Sequence, residues 1–169
     1  MASAFVDQIA IVAFLGLLAW AAVSDFRTYL IPNSVSLGVA LLYPAHVLAS
    51  AAPVDWVGAL VVAACVLLVG FVMFAMRLAG GGDVKLLTAA ALWAGPAQIL
   101  PFLLLTTLAG GLLAAMTLNY LRYVRPWPSN ALAADEAAAL KLRGSVPYGI
   151  AIALGGLWLV VQMFAHSGA

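Results

Sequence analysis

The chain has 169 residues, of which 66% are hydrophobic and only 8% are charged, and its mean hydropathy is +1.14. Soluble domains carry about 25% charged residues, so this composition excludes an ordinary soluble domain and indicates a membrane protein. The Lys and Arg residues form no basic stripe, which excludes a nucleic-acid binder. The single cysteine, Cys65, excludes an intrachain disulfide and a cysteine-based zinc site, and its apolar neighbours predict a buried side chain.

The hydropathy pattern predicts an all-α, polytopic membrane protein that forms one membrane-embedded domain over residues 1–169. A spanning helix needs about 20 apolar residues, and six segments qualify or come close. The fourth is short and follows a run of glycines, and such segments line cavities because irregular backbone cannot face lipid. No basic residue precedes the first segment, so we expect a retained helix rather than a cleaved signal. The predicted segments are 4–24, 33–51, 54–78, 84–94, 97–121 and 146–165.

The basic residues predict the orientation of these segments. With six spans, every Lys and Arg falls in the first, third or fifth connection, which the positive-inside rule makes cytoplasmic. Both termini are then expected on the outer, periplasmic side of the inner membrane. The fifth connection, at about 122–145, is predicted to be a cytoplasmic loop with a short surface helix that Ser129 or Asn130 can cap. The basic residues are Arg27, Arg77, Lys85, Arg122, Arg125, Lys141 and Arg143.

Four of the six acidic residues have ordinary structural interpretations. Asp7 and Asp55 fall near helix starts on the outer side, where a negative charge complements the helix dipole, and we interpret them as interfacial caps. Asp135 and Glu136 fit the first turn of the predicted surface helix.

The remaining acids, Asp25 and Asp83, are the candidate catalytic residues. Asp25 ends the first predicted helix and Asp83 starts the fourth, so both lie at the same depth on the cytoplasmic side. Ionisable groups near the hydrocarbon boundary are costly and usually mark a functional site. Two adjacent carboxylates share one proton, so one can take a proton from water while the other donates to a carbonyl, as in aspartic peptidases. Gly80 and Gly82 could leave a backbone slot beside Asp83.

Other interpretations of these residues stay open on spacing alone. The glycine run could be a tight turn with Asp83 as an N-cap, and Pro32 could break the chain with Asn33 capping the second helix. A different function, a small proton-coupled transporter or channel, would use the two Asp residues as a relay. Neither His46 nor His166 has a Cys, Asp or His at metal-ligand spacing, so we expect no metal site.

At these positions the chain resembles the type IV prepilin peptidases, within the GxGD group of intramembrane aspartic peptidases. The resemblance is carried by the glycine run that ends in Asp83 and continues as VKLL, and by Asp25 with IPN at 31–33 downstream. It is also carried by VPYGIAIALGG at 146–156, and it extends from the first predicted span to the last.

The resemblance implies a membrane endopeptidase that removes the short basic leader of pilin precursors at the cytoplasmic face, just ahead of their hydrophobic helix. It implies that Asp25 and Asp83 are the catalytic pair and that Gly80 and Gly82 shape the site. It implies no cofactor, and the partners are a prepilin substrate and the lipid bilayer. Three residues match the motifs without an assigned role: Lys85, Pro32 and Asn33.

The chain departs from larger members of the family in its first connection. Those members carry an insertion there with paired Cys-x-x-Cys and also N-methylate the mature pilin, whereas residues 25–33 leave no room for it. The resemblance therefore does not carry methylation over to this chain. The small size is similar to the compact CpaA/TadV type, which serves the Flp-like pili of Tad secretion systems.

Overall fold

A computed structural model describes residues 2–50, 52–123 and 146–167, and this part of the chain is helical with no strand. Four of its helices are long and apolar enough to cross a membrane, and the fifth, α2, is a shorter apolar helix. The all-α prediction is thus confirmed for these residues. The helices are α1 (Ala2–Thr28), α2 (Asn33–Ala49), α3 (Trp56–Ala75), α4 (Gly81–Tyr123) and α5 (Tyr148–Ser167).

The predicted fourth and fifth segments form one element, α4, that is broken at Gly95. Gly95 has φ +56° and ψ −174°, a conformation that essentially only glycine adopts. Past the break, Pro96 lies against Gly58 near the start of α3, whereas Val84 contacts Gly70 near the end of α3. The chain therefore turns at Gly95 at one end of the bundle. We call residues 81–94 and 96–123 the first and second segments of α4.

The second segment of α4 returns along α5. Gly155 of α5 lies against Phe102 and Thr106, and Gly110 lies against Tyr148 at the start of α5. Contacts late in the second segment are thus made with the beginning of α5, so the two helices are antiparallel. The reversal at Gly95 places both the start of α4 and the start of α5 at one end of the bundle.

A core of apolar side chains joins these helices. α1 packs against α2 and α5, and α4 packs against α2, α3 and α5. Small residues allow close approach: Gly156 of α5 lies against Leu18 of α1, where a Cβ would have no room. Many large apolar side chains on the outside are exposed, as expected for surfaces that face hydrocarbon rather than water. The largest fully buried side chains are Phe14, Phe102, Leu18, Leu86, Ile152 and Leu159.

A polar cluster closes the end of the bundle at which Gly95 lies. His46 Nδ1 lies 2.5 Å from Asp7 Oδ1, and the His46 ring stacks on Trp93 with centroids 5.1 Å apart. Trp93 also donates from Nε1 to the carbonyl of Val39 at 3.0 Å. Asp55 caps α3 by accepting from the Gly58 N–H at 2.9 Å, as predicted.

Three expectations from the sequence are corrected here. Asp7 is not a cap, because it lies inside α1 and pairs with the His46 that the sequence left without a partner. Asn33 does not cap α2, because Pro32 is the N-cap and makes no side-chain cap bond. Cys65 is exposed rather than buried. In the predicted connection 122–145, α4 includes 122 and 123, and the predicted surface helix with Ser129, Asn130, Asp135 and Glu136 lies outside the described residues.

Candidate active site

Asp25 is a buried carboxylate in the last turn of α1. Only 5% of the residue is exposed, and its Oδ2 accepts a hydrogen bond from the Gly149 N–H at 2.6 Å. Gly149 is the second residue of α5, where backbone N–H groups have no partner within the helix. A carboxylate at that position satisfies one of these donors and complements the positive end of the helix.

The absence of a side chain on Gly149 permits this close contact. A Cβ on Gly149 would lie 3.0 Å from both Cβ and Oδ2 of Asp25. Any larger residue would therefore push the carboxylate away from the start of α5. The contact joins the first helix to the last one, between residues that are distant in sequence.

Asp83 is the third residue of α4, and its carboxylate folds back over the first turn. A Cβ on Gly80 would lie 2.7 Å from Asp83 Oδ2, and the Gly80 backbone N–H faces this carboxylate. Gly80 is the residue whose carbonyl accepts the first helical bond, from the Val84 N–H at 3.1 Å. Asp83 therefore turns toward the N-cap residue from within the helix, instead of being the N-cap itself.

The carboxylates of Asp25 and Asp83 lie close enough for their charges to repel each other. The structure thus brings together the two acids that the sequence singles out, from the end of α1 and the start of α4. Two neighbouring carboxylates in a poorly hydrated site are favoured when they share a single proton. A pair in that state has one carboxylate that can accept a proton and one carboxyl group that can donate one.

The segment after Asp25 is attached to the start of α4. α1 ends where Tyr29 takes a positive φ of 53°, and Ser24 Oγ donates to the carbonyl of Leu30 at 2.8 Å. A Cβ on Gly82 would lie 3.2 Å from Ile31 Cβ, so the absence of a side chain lets the two segments meet.

The motif residues Lys85 and Asn33 meet in this region. Lys85 Nζ donates to Asn33 Oδ1 at 2.9 Å, which links the first turn of α4 to the first residue of α2. Pro32 starts α2 as its N-cap. These residues line no part of the cavity described next, and their contact joins the start of α2 to the first turn of α4, the helix that carries Asp83.

A cavity of about 960 Å³ lies beside Asp83, between the end of α3, α4 and the start of α5. Its wall is mostly apolar, and Asp83 and Tyr148 are polar groups on it. Gly80 also lines it, whereas Gly82 contacts Ile31 instead. An apolar cleft with a few convergent polar groups is typical of a binding site. Further lining residues are Gly70, Met73, Phe74, Arg77, Leu87, Leu103, Thr106 and Val146.

Gly149 and Tyr148 are residues of the site to which the sequence assigned no role. Both belong to VPYG at 146–149, whose similarity to a family motif was the signal available. Tyr148 lines the cavity, and its phenol is near enough to Asp83 for electrostatic interaction. Among the residues that the structure describes, no three His, Cys, Asp or Glu side chains are grouped so that they could hold a metal ion.

Comparison with known proteins identifies the family of this chain. A family model described as the type IV leader peptidase family matches residues 12–115, which is more than half of the chain. The chain therefore belongs to the type IV leader peptidase family, and it is a peptidase. The matched region contains Asp25, Asp83 and the glycine run between α3 and α4. Searches of curated proteins and of solved structures returned no match.

Proposed function

We propose that this chain is a membrane-embedded aspartic endopeptidase that removes the leader peptide of type IV prepilins, with Asp25 and Asp83 as its catalytic pair. The observation that supports this most directly is the approach of two carboxylates from α1 and α4 beside an apolar cavity, in a member of a leader peptidase family. A leader peptide ahead of a hydrophobic helix suits a cavity with apolar walls and a polar end.

The proposed reaction uses a water molecule held between the two acids. The ionised carboxylate takes a proton from the water molecule as the water oxygen bonds to the scissile carbonyl carbon. The protonated carboxyl group donates its proton to the carbonyl oxygen. The tetrahedral intermediate then collapses, the C–N bond breaks, and the amine leaves with a proton from the acid pair. No covalent enzyme intermediate forms. Gly149 orients Asp25 through its N–H, and Gly80 faces the Asp83 carboxylate.

The proposed orientation puts this site at the cytoplasmic face of the inner membrane. Arg27, Arg77 and Lys85 all lie at the same end of the bundle as the two acids, as the positive-inside rule requires. Asp7, His46 and Asp55 lie at the opposite end. With the turn at Gly95, the helices supply six apolar segments, so both termini are proposed to be periplasmic.

The proposed substrates are the Flp-type prepilins of Tad systems. Residues 25–33 form a short connection, and the paired Cys-x-x-Cys of larger family members has no counterpart in the single cysteine of this chain. We therefore propose leader cleavage without N-methylation. This proposal on substrate class is separable from the proposal on chemistry, because each has its own readout.

The test is proteolysis of a purified Flp-type prepilin by the purified chain in liposomes, with a methyl donor added. Mass spectrometry of the product reads the new N-terminus and any added methyl group. We expect a single cut between the basic leader and the hydrophobic helix, with no mass increase of one methyl. A prepilin that stays intact would contradict the proposed activity, and a methylated product would contradict only the proposal on methylation.

A further inference from the structure

Tyr148 is a polar residue of the site that the proposed mechanism does not use. It is the first residue of α5 and lines the same cavity as Asp83. The next residue, Gly149, donates its N–H to Asp25. Tyr148 therefore belongs to the first turn of α5, which binds Asp25, and its phenol lies near the carboxylate of Asp83.

The ring of Tyr148 is held in place by the second segment of α4. A Cβ on Gly110 would lie 2.4 Å from Cε2 of the Tyr148 ring and 2.7 Å from the hydroxyl oxygen. The absence of a side chain at Gly110 therefore creates the space in which the ring packs against α4. Because a packed ring has little rotational freedom, the position of its hydroxyl is largely fixed.

The Tyr148 hydroxyl makes no hydrogen bond to another residue that the structure describes. The indole N–H of Trp93, by contrast, donates to the carbonyl of Val39. A phenol can donate one hydrogen bond and accept others. A fixed donor on the wall of a site, beside an acid that would handle water, is suited to a substrate oxygen.

We propose that the Tyr148 hydroxyl is a third catalytic group, which donates a hydrogen bond to the scissile carbonyl oxygen as that oxygen becomes the tetrahedral oxyanion. This inference rests on the proposed peptidase function. As water adds to the carbonyl carbon, the carbonyl π electrons move to the oxygen, and the phenol stabilises the developing charge. Tyr148 keeps its proton throughout, because the protonated acid gives its proton to this oxygen and takes it back as the intermediate collapses, while the other acid passes the proton taken from water to the leaving amine.

The test is Tyr148→Phe, which keeps the ring in its slot against Gly110 and removes only the hydroxyl. Removing one such donor typically lowers kcat by about 10² to 10³-fold, so we expect a fall in kcat of about 100-fold with KM within about twofold. We also expect a similar loss of affinity for a statine-type peptide that mimics the tetrahedral intermediate. Tyr43→Phe is the matched control, because Tyr43 is buried at the opposite end of the bundle and its hydroxyl also has no described partner.

Two results would overturn the inference while leaving the peptidase function intact. The first is wild-type kcat in Tyr148→Phe. The second is a loss of prepilin binding as large as the loss of statine binding, together with a lowered melting temperature, which would identify a packing role. If the unmodified chain fails to cut prepilin, the proposed peptidase function and the proposed role of Tyr148 are both wrong. The unmodified chain is measured first, so this outcome is known before any variant is compared.

Discussion

The backbone N–H of Gly149 donates a 2.6 Å hydrogen bond to the carboxylate of Asp25. This bond ties the end of α1 to the start of α5 and orients an acid that is only 5% exposed. Because the donor belongs to the backbone, no substitution removes it directly. The contact can therefore be tested by enlarging the side chain at position 149.

Gly149→Ala is expected to impair cleavage strongly. The added Cβ would lie 3.0 Å from Asp25 Oδ2, which is tighter than ordinary van der Waals contact, so the carboxylate or α5 must shift. A misplacement of about 1 Å at a catalytic group can cost about 10²-fold in rate. Steady-state cleavage of prepilin measures the effect. Gly16→Ala on α1 is the control, since nothing lies within 4 Å of its Cβ, and a fully active Gly149→Ala would show that this contact does not set the position of Asp25.

Gly110→Ala and Gly111→Ala form a matched pair of neighbours on α4. A Cβ at Gly110 would collide with the Tyr148 ring, whereas a Cβ at Gly111 meets nothing within 4 Å. Helix propensity favours alanine over glycine by about 1 kcal/mol at either position. We expect Gly111→Ala to raise the melting temperature without changing kcat, and Gly110→Ala to lower kcat about tenfold or more. If the two variants behaved alike, the space beside Gly110 would not be what holds the Tyr148 ring in place.

The hydrogen bond between Lys85 and Asn33 is expected to support activity indirectly. It joins the starts of α4 and α2 at 2.9 Å, at an exposed position, so its net contribution is about 1 kcal/mol. That value corresponds to about a fivefold change in the population of the correct arrangement. We expect Lys85→Met and Asn33→Ala each to lower kcat/KM a few-fold.

A double-mutant cycle separates this bond from a general effect of charge. The double variant should be no worse than the poorer single variant, because both remove the same contact. Arg27→Met is the charge control, since Arg27 is an exposed cation at the same end of the bundle. Additive losses in the cycle, or an equal loss in Arg27→Met, would count against a positioning role.

The pair formed by Asp7 and His46 is expected to contribute to stability and not to catalysis. The His46 side chain is 11% exposed and the Asp7 side chain 16%, so removal of one partner leaves a largely buried polar group unsatisfied, at a cost of about 1–3 kcal/mol. We expect Asp7→Ala to lower the melting temperature in detergent by several degrees, while kcat at a lower temperature stays within about twofold of the wild type. The exposed neighbour Gln8 supplies the control Gln8→Ala. A large fall in kcat would show that the two ends of the bundle are coupled.

The sequence predicted the helices well, because apolar segments and glycine breaks are local signals. The predicted segment boundary at residues 94–97 coincides with the break at Gly95. The charge pattern also indicated that Asp25 and Asp83 belong to one end of the bundle, and the structure brings them together. These features can be predicted from hydropathy, segment length and the distribution of Lys and Arg alone.

Contacts between helices that are distant in sequence could not be predicted in the same way. The pairing of Asp7 with His46, and of Lys85 with Asn33, depends on which face each of α1, α2 and α4 turns toward its neighbours. Hydropathy gives little information on rotation in a chain whose helices are apolar on nearly every side. Gly149 was missed for a related reason, since it acts through its backbone N–H and carries no functional side chain.

The central claim is that Asp25 and Asp83 act on one water molecule, and the most direct test is the cleavage rate of three variants on a purified Flp-type prepilin. Groups that act as one unit are strongly non-additive. Asp25→Asn and Asp83→Asn should each lower kcat by about 10⁴-fold or more, and the double variant should be no slower than the slower single one. Asp55→Asn, at the cap of α3, should retain near wild-type kcat. Cleavage by either single variant at about a tenth of the wild-type rate or faster would contradict the account.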